Sequence, residues 1–312
     1  MTTRKSLGMV VNYFHNGASE DRRKLLLSTT CLSLRLLRMT PCVGTVVLAD
    51  GSREPDSEMR DFCLDNGIQY LHFGKQVGYA EAYNLGWRSL DEPYIGLMAN
   101  DIIPHPIETM EILLEWIAKP DIGCVAPYFH TARSVCDETQ RKGYWNRSQQ
   151  SCEPASITLN LNLFKRSVLE DIGGIEDRYL FGYAEPIFIL KIRTSGHRVV
   201  LVGGTQCYHY GELTKSLGVS DLKKELYAID ARRWQKEYAS YASRRGIAGI
   251  KLWKWPFAVT LPSKALWWMS SCTPWVLRSR LLKLVMWLEP LLTRYPARRG
   301  MARRGMARRG RG

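Results

Sequence analysis

The stretch Tyr94–Pro104, which reads YIGLMANDIIP, decides the fold of this chain. Tyr94–Ala99 is a mostly apolar run with the length of one buried strand. The run stops at the polar pair Asn100-Asp101, and Pro104 follows closely. In open α/β sheets, ligands bind beyond the carboxyl ends of the strands, so this pair is the first candidate for a binding site.

Segments of the same kind lie on both sides of this stretch. The runs that predict strands are LGMVVNYF at 7–14, VGTVVLADGS at 43–52, IQYLHF at 68–73 and GCVAPYF at 123–129. Helical patterns alternate with them, at about 19–38, 54–66, 80–90 and 110–117. This alternation predicts a doubly wound, mainly parallel α/β sheet with flanking helices.

Three of the predicted strands end in polar or glycine-bearing loops. These loops contain Asn12-Tyr13, Asp50-Gly51-Ser52 and Asn100-Asp101. Because the carboxyl ends of parallel strands meet at one edge of a sheet, we expect the three loops to lie close together and to form a binding site. Asp50 and Asp101 each keep a simpler alternative, since Asp is common in turns and before proline-containing loops.

The second half of the chain continues the pattern with more irregular parts. The stretch His130–Pro154 is long and polar, which is typical of functional loops. Ile157–Leu163 alternates apolar and polar residues as a half-buried strand does, and VVLVGG at 199–204 predicts a strand that leads to His209. Ser220–Tyr241 predicts a long helix. We assign residues 1–244 to a first domain.

The C-terminal part has a different composition. Residues 245–296 contain six of the ten tryptophans, mixed with Lys and Arg, and we predict a basic helical segment there. Such a segment either contacts a membrane surface or packs back on the first domain, and both alternatives stay open. Residues 297–312 repeat ARRGM and predict a disordered tail.

The positive charge of the chain is concentrated at its end. The formal net charge is +14, and the tail holds seven arginines and no acid. Basic tails bind polyanions such as nucleic acid, anionic lipid or phosphorylated glycan carriers. Because this charge lies outside the folded domain, we expect an anionic membrane surface as an accessory partner and no nucleic acid as the main partner.

Cysteine usage and the pattern of apolar runs indicate a compartment. The eight cysteines are scattered without a CxxC pair, which favours buried free thiols over a disulfide framework. The apolar run after the basic start is too short for a signal peptide. No apolar run approaches the roughly 18 residues of a spanning helix. We expect a cytoplasmic protein, with peripheral contact to a membrane as the open alternative.

Six sequence blocks together resemble a known family. In chain order they are VVLADGS, GYAEAYNLGW, YIGLMANDIIP, GGIEDRYLFGYAEP, SGHRVVLV and YHYGELTKS. Their order and spacing resemble the family-2 glycosyltransferases with the GT-A fold, over roughly residues 8–216. The resemblance implies an inverting enzyme that moves a hexose-type sugar from a nucleotide-sugar donor to a hydroxyl of a glycan, lipid-linked or protein acceptor.

The resemblance also implies which residues contact the nucleotide. Asp50, Gly51 and Ser52 match a turn that contacts the base and ribose, although the family often has an acid at the position of Ala49. Asn12 and Tyr13 match the first-strand loop, where a ring could stack on the base. Asn84 matches a helix position that helps to seat the nucleotide.

A divalent cation is implied in the same way. Asn100-Asp101 matches the family's DxD motif, with Ala99 in place of the first acid, so that Asp101 remains as the strong ligand. His209 matches a late histidine that completes the metal or diphosphate site in many relatives; its alternative is a core histidine. The ion would be Mg²⁺ or Mn²⁺, and Mn²⁺ accepts a nitrogen ligand more readily.

Glu185 matches the family's catalytic acid-rich segment and is the predicted general base. Relatives carry further acids at the positions of Pro186 and Ile187, so Glu185 stands alone here. Its alternative is a solvated acid at a helix start, where the helix dipole favours a negative charge. The loss of these acids keeps a second hypothesis open, namely a catalytically reduced protein that binds a glycan or nucleotide sugar.

Overall fold

The computed structural model describes residues 6–15, 20–104, 108–131, 151–154, 157–179 and 184–210, with short pieces at 229–230, 232–233, 249–251 and 260–262. Most of the polar stretch 130–154 and most of the helix predicted over 220–241 lie outside the described residues, as does all of the tail 297–312.

The described elements alternate along the chain as predicted. In order they are β1 Leu7–Tyr13, α1 Glu20–Met39, β2 Val43–Asp50, α2 Ser57–Asp65, β3 Gln69–His72, α3 Tyr79–Arg88, β4 Tyr94–Ala99, β5 Ile102–Pro104, α4 Glu108–Ile117, β6 Ile122–Thr131, β7 Leu161–Lys165, α5 Arg166–Ile172, α6 Ala184–Thr194 and β8 Arg198–His209. The five strands predicted in the first half of the chain are β1–β4 and β6. The short strand β5 was not predicted, because three residues after a turn carry no periodicity.

Most of these strands form one mixed sheet. The eight-stranded sheet has the order β3-β2-β1-β4-β7-β6-β8-β5. Its first four strands are parallel neighbours, and β6 is parallel to β8. Strand β7 is antiparallel to both β4 and β6, and β5 is antiparallel to β8. The predicted doubly wound, mainly parallel sheet is therefore confirmed, with β7 and β5 as the antiparallel strands.

One predicted strand begins later than expected. The strand expected at Ile157–Leu163 is β7, which begins at Leu161 and runs to Lys165. Residues 157–160 form a turn that precedes the strand, and the Ala99 N–H donates to the Asn160 carbonyl at 2.8 Å. The alternating pattern therefore predicted the strand correctly at 161–163. At 157–160 the same alternation occurs in residues that precede the strand.

Close packing between helix and sheet depends on small residues. In α3, a Cβ at Gly86 would lie 2.4 Å from the Val10 side chain of β1, so only glycine allows this approach. The face of the sheet that carries α1 and α4 holds the main apolar core, which includes Met9, Leu34 and Met110. The Gly86 contact therefore holds α3 against the middle of β1.

The C-terminal part of the chain forms a second compact unit. The boundary between the two compact units follows Trp234, whereas we predicted a domain boundary after residue 244. In the second unit, β9 Gly249–Lys251 pairs antiparallel with β10 Thr260–Pro262. These residues are extended, so the predicted helical segment is wrong at both strands. The remaining residues of 245–296 lie outside the described part, and the boundary at 296 stays a prediction.

Membrane-spanning segments were not expected from the sequence. Within the described residues, no helix is both long enough and apolar enough to cross a membrane.

Candidate active site

The polar loops predicted at one edge of the sheet do lie side by side. Strand β1 is between β2 and β4, with Tyr13 opposite Asp50 and Asn12 opposite Ala99. The residues that follow these strands therefore emerge at the same edge, as the sequence predicted. This edge is the first part of the candidate active site.

Asp101 and His209 form a close pair at this edge. Strand β5 begins at Ile102, immediately after Asp101, and pairs with β8 so that Ile102 lies opposite His209. The Tyr210 N–H donates to the Asp101 carbonyl at 2.9 Å. His209 Nε2 lies 3.4 Å from Asp101 Oδ2. The structure thus brings together the two predicted metal ligands, which are far apart in the chain.

Polar atoms around this pair have unused hydrogen-bonding capacity. Asn100 Nδ2 and His209 Nδ1 are buried and have no hydrogen-bond partner in the described part of the chain. Buried polar atoms of this kind are unusual and need an explanation, such as a ligand or an ion. A separation of 3.4 Å also suits two atoms that bind one cation. No cluster of three or more His, Cys, Asp or Glu side chains suited to a metal occurs among the described residues.

Tyr83 connects the Asp101 side of the site with Glu185. Glu185 lies half-buried in the first turn of α6. Burial raises the pKa of the Tyr83 hydroxyl above its ordinary value, and the negative charges of Asp101 and Glu185 raise it further. Both carboxylates therefore lie near this buried ring, whose hydroxyl donates to the Leu159 carbonyl at 3.3 Å. Tyr83 was missed from the sequence, where its only signal was its place in GYAEAYNLGW.

The Asp50 carboxylate is used inside the protein. Asp50 is fully buried, and its carboxylate accepts hydrogen bonds from the Ser52 N–H at 2.9 Å and the Tyr70 hydroxyl at 2.5 Å. The Gly51 N–H donates to the Tyr13 carbonyl, and a Cβ at Gly51 would lie 2.9 Å from the Val77 carbonyl. The geometry favours the simpler alternative for Asp50, a turn residue that holds the loop. A nucleotide contact by this loop stays a prediction.

Tyr13 does not have the exposure that stacking on a base requires. Its ring is fully buried, and its hydroxyl donates to Asp56 Oδ2 at 2.8 Å. Asp56 also caps α2 and binds Arg23 at 3.0 Å. Burial alone would raise the pKa of Asp56, but the hydrogen bonds from Tyr13, the Met59 N–H and Arg23 lower it below its ordinary value. The ring of Tyr13 thus belongs to the core, and its stacking on a base stays a prediction.

His15 lies where the stacking residue was expected. Asn12 is half-buried, and His15 follows β1 with partial exposure. The His15 N–H donates to Ser52 Oγ at 3.0 Å, and its ring Nε2 is 2.9 Å from the Glu54 carbonyl. His72 Nε2 lies 3.1 Å from the Ser52 carbonyl. Two imidazole rings therefore flank the Ser52 turn, and neither was identified from the sequence.

Asn84 fastens a loop and does not face the edge of the sheet. Its Nδ2 donates to the Ile175 carbonyl at 2.6 Å, and its Oδ1 accepts from the Ile175 N–H at 2.9 Å and Trp87 Nε1 at 3.2 Å. No side chain fits at Gly174, since a Cβ would lie 2.5 Å from Asn84 Oδ1. Asn84 therefore joins α3 to the 173–176 loop, and its contact with the nucleotide stays a prediction.

The 173–176 loop is fastened to α6 as well. Glu176 accepts hydrogen bonds from Arg178 Nε at 2.7 Å and from Lys191 Nζ of α6 at 3.1 Å. Burial would raise the pKa of Glu176, but these two cations lower it below its ordinary value. Because α6 carries Glu185 in its first turn, this loop connects the helix of Tyr83 with the helix of the predicted base.

Replacing Asn84 by Ala is expected to destabilise the fold, because two buried backbone groups of Ile175 lose their partners. The expected loss is about 2–4 kcal/mol of the free energy of unfolding, or roughly 5–10 °C in Tm for a domain of this size. Thermal denaturation measures this loss. The matched control is Leu85→Ala on the exposed side of the same helix. An equal Tm for Asn84→Ala and the wild type would contradict the fastening role.

Comparison with protein families identifies the domain. Residues 43–171 match the family model described as glycosyl transferase family 2. Over these residues the chain is similar to the family-2 glycosyltransferases. The matched part of this domain begins at β2 and ends in α5, so it includes the Asp50 turn, the Asn84 helix and the Asn100-Asp101 pair. The resemblance stated from the sequence blocks is confirmed.

Solved glycosyltransferase structures share the fold of this domain. The mannosyltransferase PcManGT from Pyrobaculum calidifontis, in complex with GDP-Man and Mn²⁺, has a TM-score of 0.53 at 15% identity, over 92% of this chain and 81% of its own. GalNAc-T7 with UDP, GalNAc and Mn²⁺ has a TM-score of 0.53 at 13% identity, over 86% of this chain and 56% of its own. TarS 1-349 from S. aureus has a TM-score of 0.50 at 11% identity, over 85% and 78%.

These likenesses show that the domain has the GT-A fold predicted from the sequence. No curated protein sequence matches the chain.

Proposed function

We propose that the chain transfers a sugar from a nucleoside diphosphate sugar to an acceptor hydroxyl, with inversion at the anomeric carbon. The observation that carries this proposal is the Asp101–His209 pair, 3.4 Å apart, in the neighbourhood of Tyr83 and Glu185. The proposal is also supported by similar structures that hold GDP-Man with Mn²⁺ or UDP with GalNAc and Mn²⁺.

Asp101 and His209 are the residues that would hold a divalent cation. Asp101 offers a carboxylate oxygen and His209 a ring nitrogen, a mixed set that Mn²⁺ accepts more readily than Mg²⁺. When bound, the cation neutralises charge on the departing diphosphate. With two protein ligands at this pair, the phosphate oxygens of the donor would complete the coordination. Metal affinity is therefore expected to rise when the donor is present.

Glu185 is the residue that would take the proton of the acceptor. The acceptor oxygen forms a bond to the anomeric carbon while the bond from that carbon to the phosphate oxygen breaks. The nucleoside diphosphate leaves with the bonding electrons, and the hydroxyl proton passes to the Glu185 carboxylate. Tyr83 holds its proton in this site because burial and the two nearby carboxylates raise its pKa. It therefore supports the geometry as a neutral hydrogen-bond donor.

A second candidate function rests on the reduced set of acids. Ala49, Ala99 and Ile187 stand where the family often has acids, and Asp50 is engaged in internal hydrogen bonds. The same fold could then bind a glycan or nucleotide sugar without turnover. The two candidates differ in one respect, since only the enzyme releases a nucleoside diphosphate.

A thermal-shift screen tests donor binding for both candidates. The purified full chain is heated with GDP-mannose, UDP-glucose, UDP-N-acetylgalactosamine and dTDP-glucose, each with and without Mn²⁺. A donor at a hundred times its Kd stabilises the fold by about 2.7 kcal/mol, so the Tm should rise by several degrees for at least one donor and more with Mn²⁺. The matched control adds the free sugar alone. No shift with any donor would contradict both the enzyme and the nucleotide-sugar binder, and would leave only a glycan binder.

We further propose that the tail places the enzyme at an anionic surface in the cytoplasm. The seven tail arginines motivate this proposal. Vesicles that contain phosphatidylserine should co-sediment the full chain at low salt, and binding should fall steeply as salt rises. Removal of the residues after Pro296 should abolish the binding. Unchanged binding of the shortened chain would assign the surface contact elsewhere.

A further inference from the structure

Two exposed tyrosines flank His209 at the candidate active site. Tyr208 and Tyr210 are each 52% exposed, whereas Cys207 is buried. Among the described residues, seven large apolar side chains are exposed, and these two tyrosines are the aromatic ones. The other five are Leu25, Leu32, Met39, Leu64 and Leu85. Exposed aromatic rings beside a functional site often mark a binding surface.

Both tyrosines belong to the stretch of chain that also positions His209. Tyr208 lies in β8 between Ile103 of β5 and His130 of β6. Tyr210 follows the strand directly, and its N–H donates to the Asp101 carbonyl at 2.9 Å. The backbone of both residues is therefore held beside Asp101, and both side chains are half exposed.

This side of the sheet is also the side of α6. Cys207 and Phe129 belong to the core between the sheet and helices α1 and α4. Tyr208 follows Cys207 and so points to the opposite face. On that face, Phe164 of β7 packs on Phe188 of α6 with ring centroids 5.3 Å apart. Tyr208 and the helix that carries Glu185 consequently share one face of the sheet.

We propose that Tyr208 and Tyr210 form a stacking platform for a pyranose ring of the acceptor glycan. This inference rests on the proposed function, because it assigns the acceptor side of the same site. The C–H bonds on one face of a pyranose carry partial positive charge and pack on the negative face of an aromatic ring. The tyrosine hydroxyls add hydrogen bonds to sugar hydroxyls at the rim.

The location assigns the platform to the acceptor and not to the donor. The predicted nucleotide side of the site consists of the loops after β1 and β2. In the sheet, these strands are separated from β8 by β4, β7 and β6. The platform lies at the end of strand β8, next to His209, whereas Glu185 is in the first turn of α6. An acceptor ring held there lies on the face of the sheet that carries the helix of the proposed base.

Saturation-transfer NMR on the full chain without donor tests the platform. The probes are methyl α-mannopyranoside, methyl β-glucopyranoside, methyl β-galactopyranoside and methyl N-acetyl-β-glucosaminide. The wild type should bind at least one probe saturably, and Tyr208→Leu with Tyr210→Leu should weaken that binding by at least about 5-fold, because the contacts between the sugar and the two rings are lost. The Leu variants keep an apolar side chain in the strand, and Tyr→Phe at both positions should retain most of the binding.

Leu64→Ala is the matched control, because Leu64 is an exposed apolar residue on α2. It should bind the probes as the wild type does. No saturable binding of any probe to the wild type, or equal binding by the double Leu variant, would overturn the platform. If the double variant does not fold, Tyr210→Leu alone, outside the strand, decides by the same criterion.

A kinetic measurement separates this inference from the proposed function. With the best donor, the KM of the double Leu variant for the acceptor probe should rise at least 5-fold, whereas the KM of the Leu64→Ala control should equal the wild-type value. If the wild type releases no nucleoside diphosphate but binds the probes through the tyrosines, the proposed function fails and the platform stands. If turnover occurs and the acceptor KM does not change, the platform fails alone.

Discussion

Replacing Glu185 by Gln is expected to lower turnover by about 10²–10⁴-fold, the usual contribution of a positioned general base. Gln has nearly the same shape but cannot accept the proton of the acceptor hydroxyl. The Kd of the donor should stay within about 2-fold, because the carboxylate contacts the acceptor side. Initial rates of nucleoside diphosphate release and calorimetric titration of the donor measure the two quantities.

The matched control for Glu185 is Asp177→Asn. Asp177 is an exposed carboxylate in the same sequence block, outside the candidate active site. It should keep the wild-type rate. A Glu185→Gln enzyme with full turnover would remove Glu185 as the base, and the reaction would need another proton acceptor near Tyr83.

Replacing Asp101 by Asn is the second change with a large expected effect. Asn preserves the size of the side chain and the backbone carbonyl that accepts from Tyr210. It removes the negative charge that would hold the cation beside His209 Nε2. Removal of one ligand from a site with two protein ligands should weaken Mn²⁺ binding by at least 10–100-fold. Turnover at limiting Mn²⁺ should fall at least as much.

The dependence of the rate on Mn²⁺ concentration measures this effect. Asp101→Asn should shift the half-saturating Mn²⁺ concentration upward, and excess Mn²⁺ should recover part of the activity. Asp121→Asn is the control, because Asp121 is an exposed carboxylate paired with Arg198 at the start of β6. An unchanged Mn²⁺ dependence for Asp101→Asn would show that the ion binds elsewhere.

The sheet could be predicted because its strands carry strong local signals. Strand β4 is an uninterrupted apolar run that ends at polar residues, and β1 and β2 have the same form. The parallel direction of these strands followed from their alternation with helices. The neighbouring positions of the Asp50 and Asn100-Asp101 loops were therefore implied before any contact was known.

The antiparallel strands could not be predicted in the same way. Strand β7 enters the sheet between β4 and β6 after a long irregular stretch, and no local pattern specifies its neighbours. Strand β5 has only three residues, and its partner β8 has twelve, so the length of β5 does not indicate where the two strands pair. The Asp101–His209 distance results from this long-range pairing, so that the sequence indicated both residues but not their contact.

The roles of individual polar residues depended on contacts that a sequence does not display. Asp50 looked available to a ligand, yet Tyr70, twenty residues later, occupies its carboxylate. Asn84 lies three residues from Trp87 but holds Ile175, ninety-one residues away. Tyr13 is in a strand that is buried on both faces, so its apolar and polar residues do not alternate. The sequence therefore could not show which of Asn12 and Tyr13 is the more exposed.

Release of nucleoside diphosphate tests the central claim most directly. The full chain is incubated with the donor that gives the largest thermal shift, with Mn²⁺, and with the same mixture after EDTA treatment. We predict multiple turnovers with Mn²⁺, a loss of at least 10-fold after EDTA, and recovery when Mn²⁺ is restored. If the donor binds but no nucleoside diphosphate is released under any of these conditions, the chain is a binding protein on a GT-A fold and not a transferase.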